Sequence, residues 1–504
     1  MNAKQERSLW MRTRIHTHVL AVLLTAVLVC SCVSCAQTTA TPDDGQSIAG
    51  QTVVTDAVPE PEDSETESAP EEVSGPDDGL EDKDFKGYNF RILSCYFNEF
   101  ETADYIIYDE MTGDMVNDQL FITKQAIEER FNIEMSVIKP GDKDQGKNTF
   151  KSSVTAEDDL FDMHIGHDNN TFDLGINGLC YNLLTIEQFD FEKPWWPTRT
   201  TNELTVNHKL YAASNYASYA GINMCRILSV NKDLLAEYNI AVPYDTVRAG
   251  AWTWDNFYSI VGNIYVDENG NGRKDKGDKF GIIGDNSYYY CIQEDFELSA
   301  YKKDENMIPY LDMDIDKVDT YVEKMRTMFN ADSYLDVEEQ YFATGNAAFV
   351  FCQVKDINNY YRDSEVKYGI FTYPKFDENQ TEYINCCTDC PWAIPATLKD
   401  ENKEVVGTVI EAVSCLNYNT LLPLFTETVL KAKLADSPDD SEMVQIIIDT
   451  RTISFAYSYN KMQFCNYIND LVSNGSSTGV ASYYAKAQKL ANKTLEKLVK
   501  AFEG

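Results

Sequence analysis

Positive charge is what this chain is short of. Forty-three Lys and Arg stand against 81 Asp and Glu, a formal net charge of −38 at pH 7 over 504 residues. With no basic stripe to neutralise phosphates, a nucleic-acid partner is excluded, and acidic polysaccharides are disfavoured as ligands. Histidine is scarce too, at five. The pair His164 and His167 lies on a strand-like segment, where residues three apart face opposite sides. A shared metal would need the strand to end between them, so a packed His164 and a loop His167 are expected. Catalytic signatures are missing: there is no GxSxG elbow, Walker A loop, HExxH or dinucleotide fingerprint. A glycosidase would need two carboxylates a few ångströms apart, and nothing in the sequence picks such a pair out of 81 acids. No catalytic residue is assigned, and catalysis finds little support in the sequence. Beyond the first 35 residues no apolar run reaches eighteen, so nothing later is expected to cross a membrane.

Cysteine is present but unpatterned. Cys95, Cys180, Cys225, Cys291, Cys352, Cys386, Cys387, Cys390, Cys415 and Cys465 are irregularly spaced. Most sit in apolar runs, where a thiol packs as a small hydrophobe; mostly free thiols are expected. For Cys386, Cys387 and Cys390 a disulfide, a metal site and plain packing all stay open, although no second CxxC and no nearby His supports zinc.

The N-terminus carries an address. Lys4, Arg7, Arg12 and Arg14 precede the apolar run Val19–Val29, which has the length of a secretory h-region. Cys30, Ser31, Cys32, Val33, Ser34 and Cys35 follow, an arrangement that resembles the lipobox of bacterial lipoproteins. Cys32 fits best as the lipidated residue, with Val29 at −3 and Ser31 at −1, and Cys35 is second choice. Residues 1–31 are then a signal peptide, and 32–86 a lipidated cysteine with an acidic tether too polar to fold. The folded part, 87–504, is expected to work as a monomer on the extracellular face of the cell membrane, held there by lipid.

That part alternates strand and helix. Strand character marks Tyr88–Cys95, Ile133–Ile138, Leu160–Gly166, Phe280–Gly284, Ala347–Phe351, Lys367–Tyr373 and Trp392–Pro395. Helices are expected at Asn117–Phe131, after an N-cap at Thr253, at Val318–Phe329, and over most of the chain from Lys403 on. Such alternation indicates α/β architecture with mostly parallel sheets.

Several segments resemble the extracellular solute-binding proteins of carbohydrate ABC transporters, the group related to maltose-binding protein. They are Tyr341–Phe349, with its F-x-x-G-x-A-A pattern, Leu210–Ala213 followed by Leu228–Leu234, Thr253–Phe257, and Tyr373–Asp377 with Ile394–Thr397. The opening 88–116 and Lys193–Trp196 are similar to a clostridial subgroup. Val230, where an aromatic is usual, and the Cys386–Cys390 cluster depart from the pattern. The resemblance implies a bilobal periplasmic-binding-protein-like fold (type II), two α/β lobes with a hinge and an interlobe cleft. Lobe 1 would hold about 87–212 and 385–450, and lobe 2 about 213–384 and 451–504. It also implies a mono- or oligosaccharide ligand and permease subunits in the membrane as partners. A surface glycoside hydrolase, or a glycan-binding adhesin or sensor, is the alternative.

Sugars are held by flat apolar faces and by planar polar groups that fork onto neighbouring hydroxyls. In open α/β lobes these come from loops at the carboxyl ends of strands. The candidates are Tyr96, Phe97 and Asn98; His167, Asp168 and Asn169; Tyr216 and Tyr219; Asp285, Asn286, Tyr288 and Tyr289; Gln353; and Trp392. Trp195 and Trp196 are expected to staple a loop to the first lobe, and Trp254 to be core. The most specific local motif is Asp267-Glu-Asn269-Gly-Asn271-Gly272-Arg273-Lys-Asp275-Lys-Gly-Asp278, an EF-hand-type spacing with oxygens at positions 1, 3, 5, 9 and 12, a backbone carbonyl at 7 and Gly at 6. Structural Ca2+ is the cofactor this expects. Asp at position 12 and Lys274 at a usually apolar position weaken the match.

Overall fold

Helix α1 (Met115–Phe131) shows how local chemistry sets the elements. Asp114 caps it by accepting from the backbone N–H of Val116 and Asn117, and Asn132 ends it in the left-handed conformation at φ 48°. The computed structural model describes residues 75–97, 100–285, 289–388, 390–431, 438–459, 464–473 and 479–503. The signal segment, Cys32, Asn98, Asn286 and Tyr288 lie outside the described residues.

The first sheet contains β1 (Tyr88–Ser94), β2 (Ile133–Ile138) and β3 (Met163–Ile165), with β1 pairing in parallel to both neighbours. The second contains β4 (Arg226–Asn231), β5 (Tyr265–Val266), β6 (Lys279–Ile283), β7 (Tyr334–Leu335), β8 (Ala347–Gln353) and β9 (Tyr368–Phe371), in the order β7-β6-β8-β4-β9, with β5 on β6. After it come β10 (Asn385–Cys387), β11 (Trp392–Ala393), which joins the first sheet antiparallel to β3, and β12 (Arg451–Ile453). The expectation of mostly parallel sheets is corrected. In the second sheet β8–β4, β9–β4 and β5–β6 are antiparallel. Their strands are joined by returns across the sheet that no hydropathy pattern records.

Each sheet has its own apolar core. Phe90, Ile92, Leu93 and Ile165 anchor the first, and Trp252, Trp254, Phe257 and Phe349 the second, so Trp254 is indeed core. Three segments join the lobes side by side. Cys225 bridges Cys387 antiparallel, and β10 pairs in parallel with β12. Gln353, at the end of β8, ties them by donating to the Met224 carbonyl and to Thr388 Oγ1, both at 2.9 Å.

Two expected boundaries shift. Residues 75–86, expected in the tether, lie against the first lobe. Arg130 of α1 forks onto Asp78 and bonds Asp82, Lys83 pairs with Glu404, and Phe85 meets Phe131 at 6.1 Å. The acidic run that looked self-repelling finds cations and an aromatic anchor here. The helix Pro438–Thr450, expected in lobe 1, packs on β9 of the second sheet. Its buried Asp440 accepts from Lys232 Nζ at 2.5 Å and Tyr244 Oη at 2.6 Å.

One helical run, Asp400–Glu427, is long and apolar enough by length and composition to cross a membrane, which the sequence reading did not expect. Most of it is buried in the first lobe, and it carries a fully buried acid. Glu411 accepts from Trp195 Nε1 at 2.8 Å and Trp196 Nε1 at 2.9 Å, so the two tryptophans do staple their loop. A buried acid bridged by two indoles is the mark of a core helix. Cys180, Cys225, Cys352 and Cys415 are free, buried thiols. Cys386, Cys387 and Cys390 are buried along the crossing strand, Cys390 Sγ lying 3.9 Å from Met224 Sδ.

Candidate functional site

Between the lobes opens a cleft with a cavity volume of about 200 Å³. Its lobe 1 wall is aromatic and acidic. The 3-10 turn Thr102–Tyr105, which follows β1, and the chain just beyond it supply Asp104, Tyr105 and Tyr108. The α1 N-terminus supplies Asp114 and Asn117. Tyr219, at the head of the short helix Ala220–Asn223, meets the Tyr105 ring edge-on at 5.1 Å and Phe425 at 5.7 Å. Its backbone N–H donates to the Tyr105 carbonyl at 3.1 Å, which fixes the pair. Burial raises the Tyr219 phenol, and burial together with Asp104 and Asp114 raises Tyr108, so both stay protonated donors at neutral pH.

The lobe 2 wall is polar and basic. Past β8 a helical turn, Val354–Asp356, widens into a π-helical turn at Ile357–Tyr361, a distortion frequent at functional sites. It lines the cleft with Lys355, Asn358 and Asn359, and Arg362 follows. Asn358 Oδ1 is buried and has no hydrogen-bond partner. A carboxamide oxygen left so is costly unless something donates to it. Among the described residues neither Lys355 nor Arg362 forms an ion pair. The wall thus offers an acceptor, amide forks and two cations to whatever faces the tyrosines.

Among the described residues singled out from sequence, only Tyr219 lines this cleft. Tyr96 is exposed on a short strand past β1, and the Phe97 side chain lies outside the described residues. His167, Asp168 and Asn169 begin the helix after β3, near the same edge but outside the cavity. His167 Nδ1 lies 3.0 Å from Asp168 Oδ1. Burial, aided by Lys143, pulls its pKa down to about 4, so the ring is neutral and the contact is not an ion pair. His164 is buried on β3, bonded to the Leu93 carbonyl and likewise held at about 4 by burial.

Tyr216 lies under the Arg451 guanidinium, 4.3 Å from its ring centre, within the crossing region. Gln353 is committed there too. Trp392 cannot present a stacking face in this structure. It is fully buried, donates to Asn215 Oδ1 at 3.0 Å and packs on Phe189 and Trp196. Asp285 is exposed beyond β6, and the Tyr289 side chain lies outside the described residues. The loop of Asp267, Asn269, Asn271, Arg273, Asp275 and Asp278 joins β5 to β6, and none of the six lines the cleft.

The carboxyl-end rule chose Gln353 and stopped one helical turn short of Lys355, Asn358, Asn359 and Arg362. Asp114 was not singled out from sequence; the structure shows it capping α1 and lining the cleft. Phe425 gave no signal at all, since an apolar helix residue reads as core.

No family model matches the chain, and no curated protein matches it in sequence. Solved structures do match in fold. A cyclo/maltodextrin-binding protein complexed with maltotetraose superposes at TM-score 0.54 and 13% identity, over 82% of this chain and 98% of the other. A sugar transporter from Rhizobium etli in an open conformation gives 0.52 at 12%, over 83% and 100%. UgpB from Mycobacterium tuberculosis in complex with glycerophosphocholine gives 0.51 at 14%, over 82% and 99%. At such identities the likeness is one of architecture, and the chain has the bilobal α/β fold of the ABC-transporter solute-binding proteins related to maltose-binding protein.

Proposed function

We propose that this protein is a lipid-anchored, extracellular substrate-binding protein that captures a mono- or oligosaccharide and delivers it to an ABC permease. One observation carries the reading: a cleft between two lobes with tyrosines on one wall and an unpartnered carboxamide oxygen, Asn358 Oδ1, on the other. A sugar ring stacks on Tyr108 and Tyr219, and its hydroxyls donate to Asn358 and Asp104 while accepting from Asn359 and Lys355. Contacts to both walls favour lobe closure, which the permease reads. The N-terminal signal, Cys32 and acidic tether keep the binder near the membrane and raise its effective concentration there. Binding without chemistry suits the cleft, because the Asp114 carboxylate is already used as a helix cap.

Lys355 and Arg362 favour a second reading, in which the ligand carries an anionic group beside its hydroxyls, as the glycerophosphocholine bound by one structural neighbour does. Titration calorimetry with neutral oligosaccharides, uronic acids and glycerophosphodiesters separates the two. A neutral sugar at micromolar Kd, weakened about tenfold or more by Tyr219→Ala and by Asn358→Ala, is the expected result. Binding only of anionic ligands, abolished by Arg362→Ala, would replace it with the second reading. Binding of neither class overturns both.

A further inference from the structure

We propose that the loop between β5 and β6 is a calcium site that braces the edge of the second sheet. Its side chains bond back onto the loop itself. Asp267 accepts through Oδ1 from the Asn271 N–H at 3.1 Å and through Oδ2 from the Gly272 N–H at 2.8 Å. Asn269 Nδ2 and Asn271 Nδ2 both reach the Asp275 carboxylate, at 2.9 and 2.7 Å. Gly270 and Gly272 take left-handed φ of 68° and 69°, the bend that folds positions 1, 3, 5 and 9 inward. This much is shared with any tight polar turn and decides nothing by itself.

Asp278, at position 12, decides it. The residue is fully buried at the base of the loop. Its Oδ2 accepts from the Asp275 N–H at 3.1 Å and from Tyr265 Oη at 3.3 Å, while Oδ1 has no partner. A buried carboxylate oxygen without donor or cation is among the costliest groups a fold can hold. No side chain supplies the missing charge. Among the described residues Asp267, Asp275 and Asp278 form no ion pair. The nearby lysines turn outward: Lys274 to the Ala331 carbonyl, Lys276 to Glu338, and Lys279 to Glu237 and Glu268.

The donor set selects the ion. Among the described residues no three His, Cys, Asp or Glu side chains are gathered closely enough to hold a metal ion by themselves, so an ion here must also draw on the loop's carboxamides and backbone carbonyl. Here the oxygens are three carboxylates, two carboxamides with a second lone pair each, and the Arg273 carbonyl. That is a hard, all-oxygen set of six groups, within the six to eight calcium takes, whereas magnesium demands near-ideal octahedral geometry and usually keeps several waters instead of filling an all-protein cage. Asp278 directly precedes β6, and Lys274 and Lys276 reach the segments flanking β7, the strand beside it. An ion here therefore clamps the entry of β6 to the sheet edge.

Calcium chloride and terbium chloride are the probes, applied to the purified full chain after chelator treatment. The melting midpoint is expected to rise by about 2–5 °C in 10 mM CaCl2 and not in 10 mM MgCl2. Terbium emission excited through tyrosine is expected and should be competed away by calcium, since Tyr265 touches Asp278. Asp267→Ala should abolish both signals. Asp278→Asn separates the proposal from a merely structural turn: without calcium it should melt at or above the wild type, because a lone buried charge is gone, and with calcium below it. A wild type unmoved by calcium, or a shift that survives in both variants, overturns the proposal.

Discussion

Glu411 makes the fold sensitive to pH in a direction that can be worked out beforehand. Its carboxylate is fully buried and accepts from both indoles and, at 3.4 Å, from the Asp190 N–H. Burial outweighs these donors and raises its pKa from 4.5 to about 7. The folded chain therefore holds a proton between about pH 4.5 and 7 that the unfolded chain has released. Stability from this group is complete below pH 4.5 and is lost as pH rises through 7. A shift of that size at about 1.4 kcal/mol per unit amounts to about 3 kcal/mol. His164 and His167, held at about 4, act in the opposite sense over an overlapping window, losing stability as pH falls from about 6.5. Comparison with Glu411→Gln cancels their contribution. The variant should be less stable than wild type at pH 4.5, since its amide faces one indole N–H with a donor, and should close or reverse that gap by pH 8. Urea unfolding midpoints at both pH values measure the difference. A gap that stays constant, or widens with pH, would refute the reasoning.

Two further outcomes follow from the geometry. Trp392→Phe removes the hydrogen bond to Asn215 and part of a packed ring cluster, so it should cost about 1–3 kcal/mol in urea unfolding. Ligand affinity should stay unchanged; a Kd weakened more than about threefold would mean that Trp392 reaches the cleft after all. Arg130→Ala frees Asp78, Asp82 and the Leu80 carbonyl. Those contacts are partly exposed, so the loss should be about 1 kcal/mol, with faster protease cleavage confined to residues 75–86. Unaltered cleavage there would show that Phe85 and Lys83 hold the segment without Arg130.

The sequence by itself determined the α/β class, the positions of most strands and long helices, the order of motifs that resemble solute-binding proteins, and the spacing of the β5–β6 loop. These are local properties: side-chain period, caps and turn chemistry act over a few residues and are written along the chain. Tertiary structure alone decided which residues meet. Tyr219 stayed in the cleft, whereas Trp392 and Tyr216 were taken into the core and the crossing region, because an aromatic side chain is as useful in a core as on a platform. Lys355, Asn358 and Arg362 entered the site through a π-helical widening that no hydropathy period signals. Residues 75–86 docked because Arg130, about fifty positions on, supplies the charge that their own composition lacks. The mixed pairing of the second sheet and the depth of Glu411 belong to the same class of facts. They depend on contacts between segments far apart in sequence, and the free energy of those contacts exists only once the chain has closed on itself.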